Sequence, residues 1–130
     1  MATSSLTLVS RFSEAGVDTD TNHTFALSGQ GDTKTSYTDT ASSMTEPSTL
    51  EVTIDRKAVG SSGNDRITVK VSLVKQNTNT LAFASCSATL TLSLPRDVQF
   101  LSWMKEKVIS ELLSYCSEAR TDSLVIGVCP

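Results

Sequence analysis

An α+β domain is predicted, with an antiparallel β-sheet first and helices at the C-terminal end. Three observations carry that expectation. Two-residue apolar–polar alternation dominates the chain up to Leu94, Pro95 closes the last alternating run, and three- and four-residue apolar spacing begins only after it. At 130 residues the chain has the length of one domain. An N-terminal hairpin is expected over 1–31, the main sheet over 33–94 and a helical segment over 96–130.

The elements follow in order. Ser5 to Arg11 alternates, with Leu6 and Leu8 on one side, and so does Thr24 to Leu27; an acidic connector is expected between them. Gly29-Gln30-Gly31-Asp32 reads as a turn. Residues 33–48 are small and polar around Tyr37, which predicts one short edge strand and a loop. Lys34 and Asp39 would discourage that edge from pairing with another chain.

The second half alternates more cleanly. Leu50, Val52 and Ile54 oppose Glu51, Thr53 and Asp55, and after the loop around Gly60-Ser61-Ser62-Gly63-Asn64, Ile67, Val69, Val71 and Leu73 oppose Arg66, Thr68, Lys70 and Ser72. Beyond a loop at Gln76, Asn77, Thr78, Asn79 and Thr80, a long strand runs from Leu81 to Leu94. Three successive strands of period two imply an antiparallel sheet covered on one face. Pro95 cannot donate to a ladder and ends the last strand. Asp97 is a suitable N-cap for a helix carrying Leu101, Met104, Val108, Leu112 and Tyr115 on its apolar stripe, flanked by Phe100 and Cys116. Thr121-Asp122 could cap a second, short helix through Ile126.

Composition narrows the function. Charged residues are 19% and apolar residues 38%, with several β-branched segments, so the chain is expected to fold although its apolar content is low. No run approaches the roughly 18 apolar residues of a membrane span, and Met1 to Ser10 lacks the basic flank and apolar core of a secretory signal. Neither a membrane nor a small-molecule substrate is therefore expected as a partner. The net charge of −3 argues against a broadly basic phosphate-reading surface. The charge is uneven, however: residues 1–48 hold two basic and six acidic side chains, residues 49–130 nine and eight.

Catalytic and metal chemistry find little support. Cys86, Cys116 and Cys129 lack the close spacing of a zinc site, and the lone His23 lies in a polar stretch that reads as a solvated strand. The cysteines read as reduced thiols, with a Cys116–Cys129 bridge or an inter-subunit disulfide as the alternatives. No carboxylate pair, phosphate-binding glycine loop or nucleophile elbow is present, so neither an enzyme nor a cofactor is expected.

The polar sheet face is the more informative feature. It presents Thr53 and Lys57, then Arg66, Thr68 and Lys70, then Ser87, Thr89 and Thr91. Hydroxyls around a few cations can hold phosphate, ribose and unstacked bases. Serine and threonine fill 38 of 130 positions, a surplus that such a face would explain, although Glu51 and Asp55 would repel phosphate. The apolar side makes a second point. One small sheet with one widely apolar helix is a poor solitary globule, and Trp103 and Leu113 lie outside the helix's main stripe. A homodimer with interlocked helices would cover them, and joining the two sheets edge to edge would remove an open edge.

The order of strand, hairpin, strand, loop, strand, proline and helices resembles the coat proteins of single-stranded RNA bacteriophages. Arg66-Ile67-Thr68-Val69-Lys70-Val71 is similar to that family's central RNA-facing strand, and Thr91-Leu92-Ser93-Leu94-Pro95 to the end of its last strand. The likeness spans residues 49–130, with residues 1–48 fitting as an N-terminal hairpin and one further strand. It implies an intertwined homodimer with a continuous sheet and two outer helices, packed through Phe100, Leu101, Trp103, Met104, Val108 and Leu112. It also implies a small icosahedral shell with quasi-equivalent subunits, joined between dimers by the loop from Gln76 to Thr80. Genomic single-stranded RNA would lie on the polar face, against Thr68, Lys70, Arg66, Ser87, Thr89, Thr91, Thr53 and Lys57, and an RNA hairpin bound there would repress translation. The virion, assembled in a bacterial cytoplasm, would be its location. The alternative from another class is a secreted or surface β-rich module binding sugar or protein.

Overall fold

The computed structural model describes residues 4–14, 17–57, 63–96 and 99–118. Its strands are β1 (Ser5–Glu14), β2 (Val17–Gln30), β3 (Lys34–Asp39), β4 (Ser48–Asp55), β5 (Asn64–Gln76) and β6 (Phe83–Pro95), followed by one helix, α1 (Ser102–Glu118). All six strands form one sheet in sequence order, antiparallel throughout. Each strand therefore returns beside the one just made, which keeps every pairing local.

Side-chain alternation fixes the register. Leu50, Val52 and Ile54 stand opposite Val71, Val69 and Ile67, which in turn stand opposite Ala88, Leu90 and Leu92. Apolar positions thus form continuous rows on one face. A slip of one residue would turn the whole set to the other side, so the pattern admits one pairing.

Three expectations need correction. The acidic connector is strand: Asp18 and Asp20 pair with Ser13 and Arg11 in a ladder that runs from Ser5↔Ala26 to Glu14↔Val17. Alternation there is hidden because Thr19, Thr21 and His23 occupy the side where apolar residues were sought. Second, β3 is an interior strand between β2 and β4 rather than an edge. Its polar residues are tolerated because Tyr37 faces Leu27 and Leu50 across the two ladders. Third, α1 begins at Ser102, with the Leu101 carbonyl accepting from Met104 N–H at 3.0 Å, so Phe100 and Leu101 precede the helix. Residue 97, the expected cap, and residues 121–126, the expected second helix, lie outside the described residues.

The Gly31 turn is as expected, with its N–H donating to Lys34 O at 2.7 Å. A bulge between Leu27 and Gly29 offsets the β2–β3 register just before it.

Burial is concentrated on β2, β3 and β4. Among the described residues, Phe25, Tyr37 and Leu50 are the buried apolar ones, with Leu6, Leu8, Leu27 and Val69 packed around them. Towards β6 the same face is open: Val71, Leu73 and Cys86 are exposed. The helix approaches its own sheet at the C-terminal end of β6, where Leu92, Leu94, Phe100, Met104, Val108 and Leu112 help to line a groove of about 460 Å³. Phe100, Leu101, Trp103, Val108, Leu112, Leu113 and Tyr115 remain exposed.

Candidate functional site

The polar face is built by the same registers. Across β4, β5 and β6, Thr53 faces Thr68 and Thr68 faces Thr91, a row of three threonines. Lys34 stands opposite Thr53 and extends that row onto β3. One step along, Glu51 faces Lys70 and Lys70 faces Thr89; one step the other way, Asp55 faces Arg66 and Arg66 faces Ser93. Thr49, Ser72 and Ser87 form a further hydroxyl row. Strands about 4.8 Å apart set the spacing within each row, and two residues along a strand, about 7 Å, set the spacing between rows.

Seven of the eight residues expected to face RNA therefore share one surface: Thr53, Arg66, Thr68, Lys70, Ser87, Thr89 and Thr91. Lys57 does not join the ladder, because β4 ends at Asp55. Its backbone N–H instead donates to Asp65 Oδ1 at 2.9 Å, an atom that also accepts from Arg96 Nε at 3.0 Å. Asp65 thus ties the β4–β5 connection to the chain leaving β6. The hydrogen bond from the Lys57 N–H, and then the hydrogen bond and charge of Arg96, hold its carboxyl below the usual carboxylate value.

The electrostatics are more balanced than the cations suggest. Arg66 and Lys70 each stand across from a carboxylate on β4, and Lys34 Nζ lies 3.2 Å from Glu51 Oε1. Such exposed pairs contribute little to stability. They do reduce the net positive charge offered to a polyanion, so hydroxyls are left as a large part of what this face can present.

The loop expected to meet neighbouring subunits is a tight turn. Gln76 and Phe83 close it as the last pair of the β5–β6 ladder, and Asn77 Oδ1 accepts from the N–H groups of Asn79 and Thr80 at 2.8 and 3.2 Å. Thr78 sits between them. All five expected loop residues are present there, but the turn also includes Leu81 and Ala82.

Sequence reading missed one constellation on the apolar face. His23 is half-buried, with Nδ1 3.1 Å from Asp39 Oδ2 and Nε2 2.8 Å from Ser10 Oγ. Asp39 is buried, and its other oxygen accepts from Ala41 N–H at 2.9 Å. The solvated-strand reading of His23 is thereby corrected: it lies opposite Leu8, on the side that packs. The signal was the spacing His23, Phe25, Leu27, which puts the histidine in phase with the core. The order serine, imidazole, carboxylate matches a nucleophilic relay. Ser10, however, is in the middle of a regular strand, without the sharp turn that exposes a nucleophile beside converging oxyanion donors. The chain of bonds is better suited to satisfying a buried carboxylate.

These three residues help to line a groove of about 780 Å³, whose apolar wall includes Leu8, Phe25, Val71 and Leu73. Among the described residues no group of His, Cys, Asp and Glu could hold a metal ion, and no helix is long and apolar enough to cross a membrane. Cys86 is an exposed thiol; the Cys116 side chain and Cys129 lie outside what is described.

No family model matches the chain, and no curated protein matches it by sequence. Solved structures do. The virus-like particle of bacteriophage AVE019 superimposes with a TM-score of 0.74 at 15% identity, covering 100% of this chain and 99% of that one. The virus-like particle of bacteriophage NT-214 gives 0.71 at 19% identity, covering 100% and 99%. That of Beihai levi-like virus 21 gives 0.66 at 15%, covering 95% and 94%. With six meandering strands, a two-faced sheet and a C-terminal helix barely packed on its own sheet, this chain has the coat-protein fold of the levivirus-like bacteriophages.

Proposed function

We propose that the protein is a viral coat protein that dimerises, closes into a shell and holds single-stranded RNA on the polar face of its sheet, without catalysis. The observation that carries this reading is the unfinished burial of the single chain. Among the described residues, Val71 and Leu73 on β5 and Trp103, Val108 and Leu113 on α1 are all exposed apolar side chains. They lie where a second copy could cover them: the apolar face of β5 and β6, and the helix.

In the dimer, α1 of one subunit lies across the open apolar face of its partner, filling the groove beside Val71 and Leu73 with side chains such as Trp103, Val108 and Leu112. The β6 edges pair, so neither subunit keeps that edge open. The helices then cover one face of a joined sheet, and the hydroxyl rows and cations of the other face turn inwards. RNA is held there by Lys70, Arg66 and Lys34 at phosphates, with Thr53, Thr68, Thr91, Ser87 and Thr89 donating to phosphate and ribose oxygens. Small hydroxyl side chains tolerate any base, so binding is sequence-tolerant along most of the genome. Repression of translation through one RNA hairpin is the narrower form of the same reading. Contacts between dimers, weaker individually and multiplied by symmetry, close the shell.

The double variant Arg66→Ala/Lys70→Ala tests the RNA role. It should leave dimers intact and lower the RNA carried per particle. Unchanged RNA content would remove these residues from the proposal.

A further inference from the structure

β6 is an edge strand of the sheet, and the backbone groups it leaves open can be assigned. Asn77 N–H donates to Ala82 O at 2.8 Å, one step beyond the Gln76↔Phe83 pair. Bonded pairs alternate along an antiparallel ladder, so the even-numbered residues from Ala84 to Leu94 bond towards β5. The odd-numbered residues from Phe83 to Ser93 turn their N–H and C=O groups to the open side. Pro95 is tolerated because the N–H it lacks would have faced outwards. On the apolar face the strand changes size midway. Ala84, Cys86 and Ala88 are small and exposed, whereas Leu90, Leu92 and Leu94 are large and half-buried.

We propose that these two halves are a self-complementary code: two copies of β6 meet about a two-fold axis through Thr89, and the code restricts pairing to identical chains. This deepens the dimer reading above and rests on it. A two-fold normal to the sheet keeps each face continuous, so the axis passes through a residue. With Thr89 on the axis, Ala84, Cys86 and Ala88 stand opposite Leu94, Leu92 and Leu90 of the partner subunit. Every small side chain meets a leucine, and all 13 residues of β6 are paired. An axis at Ala88 would set alanine against alanine and leave a gap, and one at Leu90 would set leucine against leucine. Gaps and crowding both cost stability. On the polar face the same register sets Ser87 against Thr91 and Ser85 against Ser93, an unbroken hydroxyl ladder. It also joins unlike ends. Leu92 and Leu94 line the groove beside α1, while Cys86 lies opposite Leu73 where the face is open. Each helix is thereby brought towards the bare half of the other β6.

Thr89→Cys, in a background with the native cysteines replaced by serine, should give a covalent dimer on mild oxidation. Directly bonded pairs have Cα atoms about 5.5 Å apart, within disulfide reach. Ser87→Cys alone should not, its own copy being displaced by about 14 Å along the strand, but it should cross-link when mixed with Thr91→Cys. A second test reads the code. Ala88→Leu should raise the dimer dissociation constant by about tenfold or more through crowding. Adding Leu90→Ala to it should restore most of that loss, because the sizes are only exchanged. Mixed with native protein, the double variant should form far fewer heterodimers than random exchange gives, since one contact becomes leucine on leucine and the other alanine on alanine. Circular dichroism checks that the sheet is kept, as Ala88 and Leu90 also stand opposite Val71 and Val69. Failure of Thr89→Cys to cross-link, or free exchange between the double variant and the native chain, would overturn the register while leaving the coat-protein reading intact. A native protein that stays monomeric would instead defeat that reading.

Discussion

Glu51 stands directly opposite Lys70 in the β4–β5 ladder, and the same carboxylate lies 3.2 Å from the ammonium of Lys34. One acidic side chain therefore sits between two of the cations available to a polyanion. Glu51→Gln should raise RNA affinity several-fold at low salt, with the gain shrinking as salt screens the charges. Lys70→Ala should weaken binding and reduce the slope of log affinity against log salt by about 0.7, the value for one phosphate contact on a single strand. Filter binding across a salt series checks both. An affinity indifferent to Glu51→Gln would mean that RNA does not approach this part of the sheet.

The bonds from Asp39 to His23 and Ala41 make a second prediction. His23→Ala leaves a buried carboxylate short of one donor and should lower stability by about 1–3 kcal/mol. Asp39→Asn keeps an acceptor for Ala41 N–H and a polar partner for the imidazole, so it should be the milder change. Urea unfolding of the two variants measures the difference.

This constellation also marks the limit of what the sequence discloses. The β4, β5 and β6 strands were legible because Leu50, Val69 and Leu90 and their neighbours alternate without interruption. On β2 and β3, Thr19, Thr21, His23 and Asp39 occupy inward positions, and a reading based on apolar period loses phase there. Asp39 on an apolar face is intelligible only once β2 is known to bring His23 beside it, a relation set by register. The polar face was readable residue by residue, since parity alone assigns Thr53, Thr68 and Thr91 to one side. The pairing of Arg66 and Lys70 with β4 carboxylates was not, because it depends on which residues lie opposite. Leu81, left-handed with φ of 60°, had no sequence signal, as the usual marker for that conformation is glycine.

Asp65 supplies the pH dependence. Its carboxyl is held below the ordinary value of 3.8, chiefly by the Lys57 N–H and then by Arg96. A depressed folded value means that its contribution is complete above the unfolded pKa and is lost as pH falls through the lower folded one. Acid unfolding of the native protein below about pH 4 should thus be steeper than that of Asp65→Asn. Parallel acid titrations of the two, followed by circular dichroism, test this.

Val108 lines the open groove between α1 and the end of β6, yet is 66% exposed in the single chain. Val108→Asp should therefore leave the monomer's secondary structure unchanged while placing a charge inside the proposed dimer interface. The dimer dissociation constant should rise by about a hundredfold or more, since an unpaired buried carboxylate costs several kcal/mol. Sedimentation equilibrium reads it, and an unaltered constant would mean that this face of the helix is not covered by a partner.

In the proposed function, the single chain is half of a dimer that encloses RNA. Purified protein expressed in bacteria should run as large uniform particles, with ultraviolet absorbance shifted towards that of nucleic acid and dimers as the smallest species after disassembly. A stable monomer of 13.9 kDa, free of bound polynucleotide, would contradict it.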